Sequence, residues 1–200
     1  MKKVFQNQKI GQIWSMVRPW IVMIGVFLIL RFTGVVAAIS YVTNSALMAT
    51  GIMNATPTPP DAEKNFNYNF TLRDISGKII DMKEFKNKTI FLNIWATWCG
   101  PCRYEMPSIH KLYQDVNHDK IVFVMLSVDA ADHDLKVKNY IKENNFTFPV
   151  YRPDGMLPMQ LDVSSIPTTF IISPEGKIVS KKVGAASYDN EEFKKFIEGL

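Results

Sequence analysis

Cysteine is scarce in this chain: its 200 residues include two, three positions apart at Cys99 and Cys102. A secreted scaffold stapled by several bridges needs thiols at distant points, so that class is excluded. Acidic residues are missing altogether from the first 60 positions, whose only charges are Lys2, Lys3, Lys9, Arg18 and Arg31. The rest of the chain carries 18 basic and 19 acidic side chains, so the net charge of +4 belongs to the N-terminal arm. A nucleic-acid partner is therefore not expected, because the positive charge is not displayed on a folded surface. Histidine is also sparse, and the spacing of His110, His118 and His133 does not complete a zinc site with the two thiols. Pro101 between the cysteines argues for redox use, and no metal is expected.

The arm has a long apolar stretch. Residues Trp20 to Leu30 are continuously apolar apart from Gly25, and after Arg31 no charge recurs until Asp61. Next to a basic N-terminus, this predicts a signal anchor with its N-terminus in the cytoplasm and its hydrophobic face in membrane lipid. Two spans are open, Trp20 to Tyr41 and Phe32 to Met53. The first places Arg31 near the midplane, at a cost of about 2.5–3.5 kcal/mol, which eight Leu, Ile, Val and Phe residues returning about 0.3–0.6 each roughly cancel. A cleaved signal peptide is the competing reading, but the nearest small-x-small site, Ala49-Thr50-Gly51, lies far beyond the apolar run. Lipoprotein processing is excluded, since no cysteine is near. Three prolines, Pro57, Pro59 and Pro60, then favour extended polyproline geometry. The expected organisation is an anchor over 1–53, a linker over 54–64 and a folded domain over 65–200.

That domain reads as α/β. Asn67 to Asp74 and Lys78 to Met82 flank the turn Ile75-Ser76-Gly77 as a hairpin. Thr89 to Trp95 and Ile121 to Val128 are near-continuous apolar runs, as strands buried on both faces should be. Between them a helix over Cys99 to Asn117, interrupted at Pro107, makes a βαβ crossover. A second helix is expected over Asp132 to Asn145, with Leu135, Val137, Tyr140 and Ile141 mostly on one face. Thr168 to Ser173 and Ile178 to Val183 read as a second hairpin, and Asn190 to Leu200 as a terminal amphipathic helix.

Trp98-Cys99-Gly100-Pro101-Cys102 follows a buried strand and opens a helix. Cys99 there meets the positive end of the macrodipole and unpaired N–H groups, which favour a thiolate and make it the expected nucleophile. Gly100 and Pro101 permit a tight turn, with Pro where its missing N–H costs nothing. Cys102, one turn inside, is placed to resolve a mixed disulfide. Trp98 is expected to border the substrate groove. Arg103 is open between favouring the thiolate and a solvated role, and the histidines are expected at the surface.

This motif resembles the thioredoxin-like superfamily. Ile166-Pro167-Thr168 stands where such proteins carry a cis-proline beside the dithiol, and Pro107 matches the proline in their active-site helix. The domain is most similar to the membrane-tethered branch typified by bacterial cytochrome-c-maturation thioredoxins. The resemblance implies a central mixed sheet flanked by helices, a cis Pro167, and Ile166 and Pro167 at the substrate groove with Trp98, Gly100 and Pro101. It also implies that Glu105 assists proton transfer. From residue chemistry alone, Glu105 could be a solvated helix residue and Pro167 an ordinary trans proline. One departure is Asn93, where thioredoxin keeps a buried aspartate; an amide cannot act as a base, so proton handling falls to Glu105 or water.

The leading expectation is an extracytoplasmic thiol–disulfide oxidoreductase that reduces protein disulfides, with no cofactor beyond the Cys99–Cys102 dithiol. The resemblance suggests a membrane thiol donor as its reductant and apocytochrome c among its clients. A net oxidant or isomerase, and a tethered binding module with a relic dithiol, are the alternatives.

Overall fold

The computed structural model describes Trp14 and residues 16–26, 53–57 and 64–200. The chain divides into two units, Met1–Ala46 and Leu47–Leu200. In the first, residues 16–26 are helical. Both candidate membrane spans fall largely outside the described residues, among which no helix is long and apolar enough to cross a membrane.

The second unit is built on one eight-stranded mixed sheet in the order β1-β8-β7-β4-β5-β6-β2-β3. Its strands are β1 (Lys64–Asn65), β2 (Thr71–Asp74), β3 (Ile79–Asp81), β4 (Thr89–Trp95), β5 (Ile121–Ser127), β6 (Val150–Pro153), β7 (Thr168–Ile172) and β8 (Lys177–Val183). All seven residues of β4 are buried. It pairs in parallel with β5, through the crossover helix α1 (Gly100–Asp115), and antiparallel with β7. The strand runs expected at Thr89, Ile121, Thr168 and Ile178 are present within a residue or two; the β2–β3 hairpin is present too and closes at Gly77 with φ 97°, but its first strand begins at Thr71, four residues later than expected.

Alternation along β4 sends its side chains to two cores. Phe91 and Trp95 join Met106, Ile109, Phe193 and Ile197 beneath the helices, whereas Ile90, Leu92 and Ile94 join Phe66, Leu72 and Phe170 on the other face. Asn93 lies between Phe91 and Trp95 in alternation, so a polar side chain points into the helix-covered core.

Two sequence expectations need correction, and one strand was not foreseen. Helix α1 is not interrupted at Pro107. The backbone bond lost there is offset by burying Cys102, Met106, Ile109 and Leu112 along one face. The second helix, α2 (Asp134–Glu143), starts only after a 3-10 turn at Ala131–His133; Val137 and Ile141 are buried, but Leu135 is 68% exposed. Strand β6 went unread, because its short Val-Tyr-Arg-Pro run looks like a loop until it pairs with both β5 and β2. His110 lies at the surface as expected, half-buried, with its ring against Phe146 and Phe148 and Nε2 3.0 Å from Thr147 Oγ1.

The terminal helix α3 (Glu191–Glu198) is capped by Asn190 Oδ1, which accepts the Phe193 N–H at 2.9 Å. The same Asn190 also holds the segment read as the start of the linker. Its Nδ2 donates to the carbonyls of Ala55 and Ser187, while Ala55 N donates to Ser187 O at 2.7 Å and Ser187 N to Met53 O at 2.8 Å. Ala55 is buried in the helix-side core, so residues 53–55 are docked on the domain rather than extended away from it.

Candidate active site

The turn between β4 and α1 is held from below before any sulfur is placed. Thr97 N–H and Oγ1–H donate to the two oxygens of Asp129 at 2.8 and 2.6 Å, and Ser127 Oγ–H donates to the same carboxylate at 2.8 Å. Val128 N donates to Trp95 O, and Cys99 N to Ala96 O. Asp129 was not singled out in the sequence, where it reads as one more acidic loop residue; its position just beyond β5, next to the end of β4, was the only available signal.

Cys99 is the N-cap of α1, and its Sγ accepts the Cys102 N–H at 3.2 Å. The two sulfurs are joined in a disulfide, with Cα atoms 5.3 Å apart. Cys99 retains 5% exposure and Cys102 has none, so of the two cysteines only the outer one reaches solvent. That asymmetry matches the roles of attacking and resolving thiol. Pro101 occupies the first turn as expected. Gly100 differs from expectation: its φ is not left-handed, and a Cβ there would meet nothing within 4 Å. Glycine is not demanded by the turn; it leaves the surface beside Cys99 low and open.

The Ile166–Pro167 peptide is cis, and Ile166 O lies 3.8 Å from Cys99 Sγ. Thr168 Oγ1 ties this loop to Ser165 O at 2.7 Å, and Gly184 N donates to Pro167 O at 2.9 Å. Trp98 projects outward, 62% exposed, at the rim. The Arg103 guanidinium lies over the Tyr140 ring at 5.4 Å, spending its charge on α2.

Glu105 is not a solvated helix residue. It is fully buried, on the same face of α1 as Cys102 and one turn behind it. Oε1 accepts Asn93 Nδ2–H at 2.7 Å, and Oε2 accepts Ala186 N–H at 3.3 Å. Burial pushes this carboxyl up to about 8, opposed by those two donors, which favour the anion. A carboxyl near neutrality exchanges protons readily with a thiol, whose free value is about 8.5. Asn93, noted in the sequence as a base that had been lost, is a partner of the acid instead. Nδ2 also donates to Thr169 Oγ1 at 2.9 Å, and Tyr188 Oη–H donates to the same hydroxyl at 2.7 Å. Asn93 Oδ1 is buried without a hydrogen-bond partner among the described residues, a cost of about 1–3 kcal/mol.

The site residues read from sequence thus converge: Cys99, Cys102 and Glu105 along α1, with Trp98, Gly100, Ile166 and Pro167 at the mouth. Thr169 and Tyr188 were missed because nothing in their local patterns separates them from sheet and loop residues.

Comparison with known proteins agrees with this geometry. The AhpC/TSA family model matches residues 65–181. The thiol-disulfide oxidoreductase ResA of Bacillus anthracis is 36% identical over 132 residues, covering 66% of this chain and 72% of that protein. ResA of Bacillus subtilis (strain 168) is 38% identical over 117 residues, covering 58% and 64%. The crystal structure of StoA from Bacillus subtilis is similar with a TM-score of 0.54 and 28% identity, over 64% of this chain and 94% of that one. With its Cys99–Cys102 redox pair in a thioredoxin-like fold, the chain belongs to the AhpC/TSA family and is a thiol–disulfide oxidoreductase.

Proposed function

We propose that this oxidoreductase works as a reductant of protein disulfides on the outer side of a membrane, to which its N-terminal segment anchors it. The observation that carries the reading is the order along α1: an outer sulfur at the helix mouth, a buried sulfur one turn in, and a near-neutral carboxyl one turn further. In the dithiol form, Cys99 thiolate attacks a substrate disulfide and expels one substrate thiolate, leaving a Cys99–substrate mixed disulfide. In molecules whose Glu105 is ionised, Cys102 gives its proton to that carboxylate and attacks Cys99 Sγ. The second substrate thiolate leaves, two electrons have passed to the substrate, and the Cys99–Cys102 disulfide remains.

The cycle needs no cofactor beyond the dithiol, but it needs a thiol donor to restore it. A donor embedded in the membrane fits a domain held there by a basic, acid-free arm and an uncharged stretch. Haem-attachment disulfides of apocytochrome c are the candidate clients that the family resemblance suggests. Gly-Pro between the sulfurs supports the reducing direction.

Equilibration of the full-length protein in detergent against glutathione buffers tests the direction. A reductant lies near thioredoxin, about −270 mV, and an oxidant near −120 mV. A value close to −120 mV would replace this reading with disulfide formation or isomerisation.

A further inference from the structure

The Asn93 amide is buried in an orientation that leaves its oxygen without a partner while both hydrogens are engaged, one on Glu105 and one on Thr169. Turned over, the amide would set its oxygen against Glu105 Oε1, where it would repel the carboxyl once that group is ionised. Something must hold nitrogen in that corner. Asn93 and Thr169 are direct partners across β4 and β7, so their side chains share one face of the sheet. Thr169 Oγ1 accepts one amide hydrogen and the Tyr188 hydroxyl fills its other lone pair, so Thr169 and Tyr188 together brace the amide in the orientation that faces N–H to Glu105. Tyr188 is itself buried, with its phenol pushed well above its ordinary range by burial and by nearby Glu105, so it keeps its proton as Glu105 titrates. The titratable group that interacts with Glu105 is Tyr188, from the segment before α3, and Cys102 lies one turn away on the same face of α1. From β4 it faces Asn93, which does not titrate, and Thr169 of β7 touches Asn93.

We propose that Thr169 and Tyr188 are positioning residues for the exchange reaction: acting through Asn93, they fix an amide N–H on Glu105 and so govern where that carboxyl takes and releases the Cys102 proton. This rests on the proton-exchange role given to Glu105 above and is independent of the direction in which electrons flow.

The test follows the Glu105 carboxyl ¹³C shift of the full-length protein against pH, assigned by its loss in Glu105→Gln, together with the pH profile of dithiol oxidation by a small disulfide. Thr169→Val removes one of the two acceptors that hold the amide and leaves it braced by Glu105 alone. The Glu105 midpoint and the rate profile then move together to higher pH by about one unit, the size expected when a buried carboxylate loses a donor. Thr169→Ser restores the wild-type midpoint, and Tyr188→Phe gives a smaller shift of the same sign. Asn93→Leu with Thr169→Val titrates like Asn93→Leu alone, since Thr169 acts only through the amide. A wild-type midpoint in both Thr169→Val and Tyr188→Phe overturns the proposal, as does a double variant shifted beyond the Asn93 single. An oxidising potential with these shifts intact would sink the reductase reading and leave this one standing.

Discussion

Replacing Glu105 by Gln removes the one buried carboxyl of the site while keeping its volume. The wild-type group has its pKa raised from 4.5 to about 8, so the folded state holds a proton that the unfolded state has lost across that interval. Stability is therefore full below the lower value and falls as pH rises towards 8, by about 1.4 kcal/mol per unit. At pH 7 the accumulated loss is roughly 3 kcal/mol, none of which affects glutamine. The substitution has its own cost, because one amide group must face either Asn93 Nδ2 or Ala186 N donor to donor; losing one such bond offsets about 1 kcal/mol. Urea unfolding of the disulfide form at intervals from about pH 5 to pH 8 should show the variant gaining about 2 kcal/mol on the wild type at pH 7 and little at the acid end. The resolving step should be slower by about 100-fold, because no proton acceptor remains behind Cys102. A stability difference that does not change with pH would refute the assignment of the buried ionisation to Glu105.

Two surface-linked predictions probe other parts of the structure. Trp98→Ala, at an exposed rim position, should raise KM for a protein disulfide several-fold while leaving stability within about 0.5 kcal/mol, measured by steady-state kinetics and urea unfolding; unchanged KM would remove Trp98 from the groove. Asn190→Ala loses the α3 cap and the clamp on Ala55 together, so it should cost about 1–2 kcal/mol and speed hydrogen exchange at the Ala55 amide. Unaltered exchange there would mean that Asn190 does not hold the segment.

Legibility followed the kind of information each element needs. Thr89–Trp95 declared itself, because seven residues buried on both faces must be apolar almost throughout. Val150–Pro153 did not, since a four-residue strand carrying Arg and Pro has no local pattern and exists by pairing with β2 and β5. Leu135 was misplaced because helical periodicity gives a face but not the residue at which the helix begins. In the site, the dithiol was readable because its chemistry is compressed into five consecutive residues. Asn93, Thr169, Tyr188 and Asp129 act across separate elements, and the strand register that places Asn93 opposite Thr169 is set by the whole sheet. Asn93 shows the limit sharply: its departure from the thioredoxin pattern was visible, but its bond to Glu105 was not.

The central claim is that the outer sulfur attacks and the inner one resolves. The most direct measurement offers a disulfide-bonded peptide to full-length Cys102→Ser and Cys99→Ser proteins, each reduced beforehand, and follows mixed disulfides by mass spectrometry. Cys102→Ser should accumulate the adduct through Cys99, whereas Cys99→Ser, whose remaining sulfur is fully buried, should accumulate none over the same interval. Equal capture by the two variants would contradict the account.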